Sequence, residues 1–126
     1  MPPTILPVVW NKNPQNQEWF DLLRLDLSAP YFKDKKGVYM VWYVSSPTSR
    51  VIKIGSGVLA DQLRKLRENP LITAYSKNGP LKVSWVAVNG VLKEDQMVGV
   101  EAFLHDLYNP LIGEKPGAIP IPVKPL

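Results

Sequence analysis

The stretch KKGVYMVWYVSSPTSRVIKIG, residues 35–55, contains two runs of β-branched and aromatic residues separated by a polar segment. The first run, GVYMVWYV, spans 37–44, and the second, VIKIG, spans 51–55. Such runs are typical of β-strands, so we predict an antiparallel hairpin with its turn over Ser45–Arg50. Both faces of the first run are apolar, and we therefore expect it to be a central strand covered on both sides.

Apolar spacing outside the hairpin predicts three helices and one more strand. Leucines three and four residues apart predict a helix over 57–69, and similar spacing predicts another over 94–109. The stretch 16–30 has apolar residues at mixed threes and fours, which predicts a short amphipathic helix ended by a proline. Alternation over 81–89 predicts a third strand. The sequence therefore predicts an α+β fold, in which a small central antiparallel sheet of about three strands is flanked by helices.

The chain has the length of one domain, since 126 residues with a hydrophobic fraction of 45% supply one ordinary core. We expect an N-terminal arm with the short helix over 1–30 and the main domain over 31–113. The remaining residues, 114–126, are rich in proline and predict an extended C-terminal tail.

Composition limits the classes of function. The absence of cysteine excludes disulfide frameworks, thiolate metal sites and cysteine nucleophiles. A formal net charge of +4 suits a polyanionic partner. The N-terminus lacks the pattern of a signal peptide, and no apolar run approaches the length that spans a membrane. We therefore expect a cytoplasmic protein that does not act at a membrane.

Short tags occur in a characteristic order along the chain. GVY stands in the first strand at 37–39, and KIG ends the second strand at 53–55. A helix follows at once, then a strand, then a helix in which Glu101 precedes Pro110 by nine positions. This order resembles the GIY-YIG nuclease superfamily over residues 37–113. The resemblance implies a domain that binds DNA and hydrolyses its phosphodiester bonds with Mg²⁺ or Mn²⁺.

The resemblance also implies a catalytic site. Tyr39 matches the tyrosine of the first tag, Gly55 matches the glycine of the second, and Glu101 matches the glutamate that binds the metal. Such a site needs a group that orients the attacking water, a cation over the developing negative charge and a carboxylate that holds the metal. The resemblance therefore also implies that Lys53 and one arginine of the helix, Arg64 or Arg67, bind the phosphate. The candidate catalytic residues are Tyr39, Lys53, Arg64, Arg67 and Glu101.

The chain departs from the family pattern at two of these positions. Lys53 stands where the second tag normally has a tyrosine, and a lysine replaces an aromatic hydroxyl poorly. Gln62 stands where the first helix normally carries an arginine, when the helix is aligned on its leucines. Arg64 or Arg67 could serve only if the helix began elsewhere, because both lie on other sides of it.

Basic residues cluster before the first strand and on the first helix. Together with Lys53 they predict a phosphate-facing surface, although charge runs are more often solvated faces. The candidate nucleic-acid-binding residues are Lys35, Lys36, Lys53, Arg64, Lys65 and Arg67. His105 lies one helical turn after Glu101, but a single Glu–His pair is too small a set to predict a metal site.

Three hypotheses remain open on the sequence. The first is a metal-dependent endonuclease of the GIY-YIG type that acts on nucleic acid. The second is the same fold without the cleavage chemistry, acting as a DNA-binding or protein-interaction module. The third is an unrelated α+β domain in which the tags occur by chance. Convergence of Tyr39, Lys53, Glu101 and an arginine on one patch would favour cleavage, and convergence without an arginine would favour binding.

Overall fold

The computed structural model of the protein describes residues 5–45 and 49–126. These residues form one four-stranded antiparallel sheet and three α-helices, which confirms the predicted α+β class. The strands are β1 (Phe20–Asp21), β2 (Lys36–Tyr43), β3 (Arg50–Val58) and β4 (Leu81–Ala87). The helices are α1 (Leu59–Glu68), α2 (Pro70–Thr73) and α3 (Met97–Tyr108). The strand order is β1-β4-β2-β3, so β3 lies at one edge of the sheet.

The predicted hairpin is formed by β2 and β3, with β2 between β3 and β4. In its register Tyr39 is paired with Gly55 and Val41 with Lys53, and a bulge follows at Trp42. Paired residues in an antiparallel sheet point to the same face. Tyr39, Gly55 and Lys53 therefore share one face of the sheet. Of the predicted turn, residues 46–48 lie outside the described part of the chain.

The helix predicted over 16–30 is wrong. Phe20 and Asp21 instead form β1, in which Phe20 is paired with Val83, so the sheet has four strands rather than three. After β1, the amides of Arg24 and Leu25 donate to the carbonyl of Asp21, at 3.1 and 3.0 Å. These bonds form a single turn in place of the predicted helix. Cross-strand pairing with β4 outweighs the weak helical preference of a short segment.

The two faces of the sheet carry separate cores. We call them the α1 face and the α3 face, after the helix that covers each one. On the α1 face, buried sheet residues pack against the leucine stripe of α1; they include Tyr39, Val41, Ile52, Val83 and Trp85, with Leu59, Leu63 and Leu66 from the helix. On the α3 face, the residues are Val38, Met40, Trp42, Ile54 and Val86, with Val100 and Leu104 from the helix. This two-sided burial explains why β2 is apolar throughout.

The N-terminal arm and the C-terminal tail lie together on the α3 face. Leu6 and Val123 form a parallel bridge, and the indole N–H of Trp10 donates to the carbonyl of Lys124 at 3.0 Å. Val8, Trp10 and Val123 are buried in the same core as the sheet residues. Both segments are thus extended where they meet and are laid against the domain. Within the described ranges, no helix is long and apolar enough to cross a membrane.

Candidate functional site

Tyr39 and Gly55 are the residues through which the two sequence tags meet. The side chain of Tyr39 is buried, with 1% of its surface exposed, and its ring lies over Gly55. A β-carbon placed on Gly55 would collide with the ring and the hydroxyl of Tyr39. The glycine of the second tag is therefore required by the tyrosine of the first, and together they place a phenol hydroxyl above the edge strand.

Gln62 from α1 reaches the same hydroxyl. The hydroxyl of Tyr39 donates to the Oε1 atom of Gln62 at 3.4 Å, which makes a long hydrogen bond. Gln62 also approaches Gly57, whose φ of +137° is a conformation that favours glycine. The structure therefore places Gln62, and not an arginine of α1, against Tyr39.

The environment of Tyr39 keeps its phenol protonated. Burial is the larger cause that raises the pKa of Tyr39 above its ordinary value, and the negative charge of Glu101 raises it further. At neutral pH the side chain is thus a neutral hydrogen-bond donor.

Glu101 is positioned by the neighbouring strand. The hydroxyl of Ser56 donates to the Oε1 atom of Glu101 at 2.9 Å, and the glutamate is half-buried on α3. Ser56 follows Gly55 directly and is paired with Val38, so it faces the helix that carries Glu101. The sequence analysis missed Ser56, although its position immediately after the KIG tag placed it next to the predicted site.

Glu101 and Ser56 supply oxygen donors of the kind that Mg²⁺ prefers, and Mg²⁺ often binds through one carboxylate together with waters and phosphate oxygens. Glu101 is the residue that would hold such an ion. Over residues 5–45 and 49–126, no cluster of three or more His, Asp or Glu side chains is arranged to hold a metal. His105 is buried, and its Nε2 atom has no hydrogen-bond partner in that part of the chain.

Lys53 brings a positive charge to this edge of the sheet. It is half-buried and is the diagonal neighbour of Tyr39 on the α1 face. The backbone after α3 runs beside β3, where the amide of Ile112 donates to the carbonyl of Ile52 at 2.8 Å. Gly113 follows with a φ of +93°, and a β-carbon there would lie 2.5 Å from the Nζ atom of Lys53. Gly113 thus leaves room for the ammonium group.

The two arginines proposed for catalysis make their contacts with residues other than Tyr39. The guanidinium of Arg67 donates to the carbonyl of Leu22 at 2.7 Å and to the carbonyl of Leu25, so it ties α1 to the N-terminal segment. Arg64 lies 3.8 Å from Asp61 in a solvent-exposed ion pair. With about 100° per residue, Arg64 is on the opposite side of α1 from Gln62. Neither arginine is directed at Tyr39.

The remaining basic candidates lie at the margins of the site. Lys36 forms an ion pair with Glu94 at 2.6 Å, and the Nζ atom of Lys35 lies 4.9 Å from the ring centre of Tyr31. Lys65 is exposed and lies three residues after Gln62, which places it on the same side of α1. Lys53 and Lys65 make no ion pair with any residue in the described ranges.

The structure therefore brings Tyr39, Gly55 and Gln62 together on the α1 face, with Lys53 beside them, whereas Glu101 is bonded to Ser56, which faces α3. The α1 face thus carries a protonated phenol, an amide and an ammonium group, and Gln62 rather than Arg64 or Arg67 contacts Tyr39. Comparison of the chain with protein-family models, with curated proteins and with solved structures finds no match.

Proposed function

We propose that this chain is a nucleic-acid-binding domain of the GIY-YIG type whose cleavage chemistry has been lost. The observation that carries the proposal is the contact between Tyr39 and Gln62. It puts a neutral amide at the place where phosphodiester cleavage requires a cation. The net positive charge of the chain and the ammonium group of Lys53 suit a phosphate ligand.

Lys53 is the residue that would bind phosphate. Its ammonium group is half-buried and has no ion pair within the described ranges. The group is therefore available to form a charge-assisted hydrogen bond with an external anion. The side-chain N–H groups of Gln62, whose oxygen accepts from the buried hydroxyl of Tyr39, can donate to a phosphate oxygen beside it. A backbone phosphate held in this way binds independently of base sequence.

The same geometry disfavours hydrolysis. The transition state of phosphodiester cleavage develops negative charge, and a rigid guanidinium is the group that best matches its oxygens. Arg67 is committed to the carbonyls of Leu22 and Leu25, and Arg64 points away from the site. Tyr39 is also unsuited to be a general base at neutral pH, because burial and the charge of Glu101 raise its pKa and keep it protonated.

Glu101 supports the endonuclease as a second candidate function. Its carboxylate acts on Tyr39 and lies on the helix where the family resemblance places the metal ligand. In that case Glu101 would hold Mg²⁺ or Mn²⁺, and the ion would polarise the scissile phosphate. Lys53 would then take the place of the missing arginine, and Tyr39 would orient the attacking water.

The binding proposal is tested by fluorescence anisotropy of labelled single-stranded and duplex DNA in EDTA. Lys53→Gln should weaken binding several-fold and reduce the slope of log K against log salt by about 1. Lys77→Gln is the matched control, because Lys77 is exposed on the 3₁₀ turn Ala74–Lys77. Equal affinities for the wild type and Lys53→Gln would overturn the proposed phosphate contact.

Cleavage is tested with supercoiled plasmid and branched DNA in Mg²⁺ or Mn²⁺. The proposal expects DNA binding without nicking. Metal-dependent nicking that disappears in Glu101→Gln would establish the endonuclease instead. A folded protein with neither activity would point to a protein partner.

A further inference from the structure

A cavity of about 660 Å³ lies between the N-terminal segment and the sheet, away from Gln62 and Glu101. Five aromatic side chains line it, namely those of Trp19, Phe20, Tyr31, Phe32 and Trp85. Phe20 stacks on Trp85 with ring centres 5.1 Å apart and planes inclined by 24°. The indole N–H of Trp85 donates to the hydroxyl of Tyr31 at 3.0 Å, and Tyr31 is 44% exposed. A volume of this size is typical of sites for small organic groups.

Polar groups surround the aromatic walls. Amide side chains and carboxylates line the cavity, namely those of Asn11, Asn13, Asn16, Glu18, Asp21 and Asp26. Two cations stand over aromatic rings at its margin. The Nζ atom of Lys12 lies 4.4 Å from the ring centre of Trp19, and that of Lys35 lies 4.9 Å from the ring centre of Tyr31. Arg24 adds a third positive charge to the lining.

These features define the class of ligand. A cationic ligand would have to displace Lys12 and Lys35 from the aromatic faces that they already occupy. A flat, polar group that carries negative charge nearby fits better, since it can stack on a ring, bond to amides and carboxylates at its edges and attract the lysines. A nucleobase attached to its phosphate has all three properties.

We propose that the cavity binds an unpaired nucleobase of a nucleic-acid strand. The inference rests on the proposed function and narrows its substrate class to single-stranded or locally unpaired nucleic acid. Trp85 is paired in register with Tyr39, and both lie on the α1 face. Trp85 on β4 and Lys53 on β3 therefore lie on the same face of the sheet, with β2 between their strands. A base within an intact duplex is stacked between its neighbours and cannot enter.

The test compares a labelled oligothymidine with an abasic oligomer of the same length, which has the same phosphates but no bases. The wild type should bind the oligothymidine roughly tenfold more tightly. Tyr31→Leu should remove that preference and leave the affinity for the abasic oligomer unchanged. Tyr31→Phe keeps the ring and should keep the preference. Tyr75→Leu is the aromatic control, because Tyr75 stacks on Tyr43 elsewhere in the domain.

The outcomes separate this inference from the proposed function. Equal binding of the two oligomers by the wild type would overturn the base site, and so would a preference that survives Tyr31→Leu. If Lys53→Gln leaves the binding of every oligomer unchanged while Tyr31→Leu removes the preference for bases, the phosphate contact fails and the base site stands. Competition by a proline-rich peptide that displaces the oligothymidine would assign the cavity to a protein partner and overturn the inference. Circular dichroism of each variant checks its folding.

Discussion

The phenol ring of Tyr39 lies over Gly55, its partner on the adjacent strand, and occupies the space that any larger residue there would need. This relationship explains why a Gly-Val-Tyr and a Lys-Ile-Gly tag stand on neighbouring strands. A methyl group added at Gly55 on β3 would therefore collide with the phenol of Tyr39.

Gly55→Ala should destabilise the fold by about 1–3 kcal/mol, because the new methyl group overpacks the site against Tyr39. Urea unfolding followed by circular dichroism measures the loss. The control is Gly90→Ala, since a β-carbon on Gly90 meets no atom within 4 Å. A Gly55→Ala protein as stable as the Gly90→Ala protein would show that Tyr39 does not lie over the glycine.

Stability should fall at alkaline pH because of Tyr39. In the unfolded chain its hydroxyl ionises near the ordinary pKa of 10.0, whereas in the folded protein burial and Glu101 raise the pKa. Between those two values the unfolded state binds fewer protons than the folded state, so the free energy of unfolding decreases as pH rises. The slope approaches about 1.4 kcal/mol per pH unit.

Urea unfolding of the wild type and of Tyr39→Phe, at about pH 8 and about pH 11, checks this prediction. Phenylalanine cannot ionise, so the stability difference should shift in favour of Tyr39→Phe at the higher pH. A difference that stays constant across the two pH values would rule out a buried, protonated Tyr39.

Arg67 and Arg64 should differ in their effect on stability. Arg67→Ala leaves the carbonyls of Leu22 and Leu25 without their donor, which should cost about 1–3 kcal/mol. Arg64→Ala removes one exposed ion pair with Asp61 and should cost about 0.5 kcal/mol or less. Thermal unfolding of both variants measures the contrast, which would be absent if Arg67 were a solvated phosphate ligand.

Glu101→Gln should increase the affinity for DNA in EDTA about two- to tenfold, because it removes a negative charge near the proposed phosphate contact. Glutamine retains an oxygen that can accept from Ser56. Asp95→Asn removes an exposed charge on the 3₁₀ turn Glu94–Gln96 and serves as the control. Weaker binding by Glu101→Gln than by Asp95→Asn would argue against a phosphate beside Glu101.

The proposed function expects that introducing the residues of the GIY-YIG pattern at positions 53 and 62 would introduce cleavage. The double variant Gln62→Arg, Lys53→Tyr places a guanidinium and a second phenol beside Tyr39. We expect it to nick supercoiled plasmid in Mn²⁺ more rapidly than the wild type. Adding Glu101→Gln should abolish the nicking, and nicking that persists in the triple variant would indicate a contaminating nuclease.

The central part of the fold could be predicted from the sequence. The hairpin, β4, α1 and α3 have apolar patterns that match the period of their secondary structure, because each packs on a large core. β1 could not be predicted, since its two residues carry too little pattern. Its existence depends on pairing with β4 and on the stacking of Phe20 on Trp85, which are contacts between residues distant in sequence.

Part of the geometry around Tyr39 could be predicted from the sequence. The register of the hairpin brings Tyr39 and Gly55 together, and the leucine stripe of α1 places Gln62 near them, so local spacing was sufficient there. The binding of Arg67 to two carbonyls could not be predicted, because it depends on the path of the N-terminal segment. The aromatic cavity depends on the same path.

The bridge between Leu6 and Val123 closes almost the whole chain into a loop. Closing a longer loop costs more conformational entropy, so contacts between residues this far apart in sequence form after the hairpin and its helices. The bridge is also made by extended segments at the edge of a core, the kind of structure that opens locally while a central sheet stays intact. The arm and tail are therefore the last part of this fold to assemble, and in native-state hydrogen exchange their amides should lose protection before those of β2.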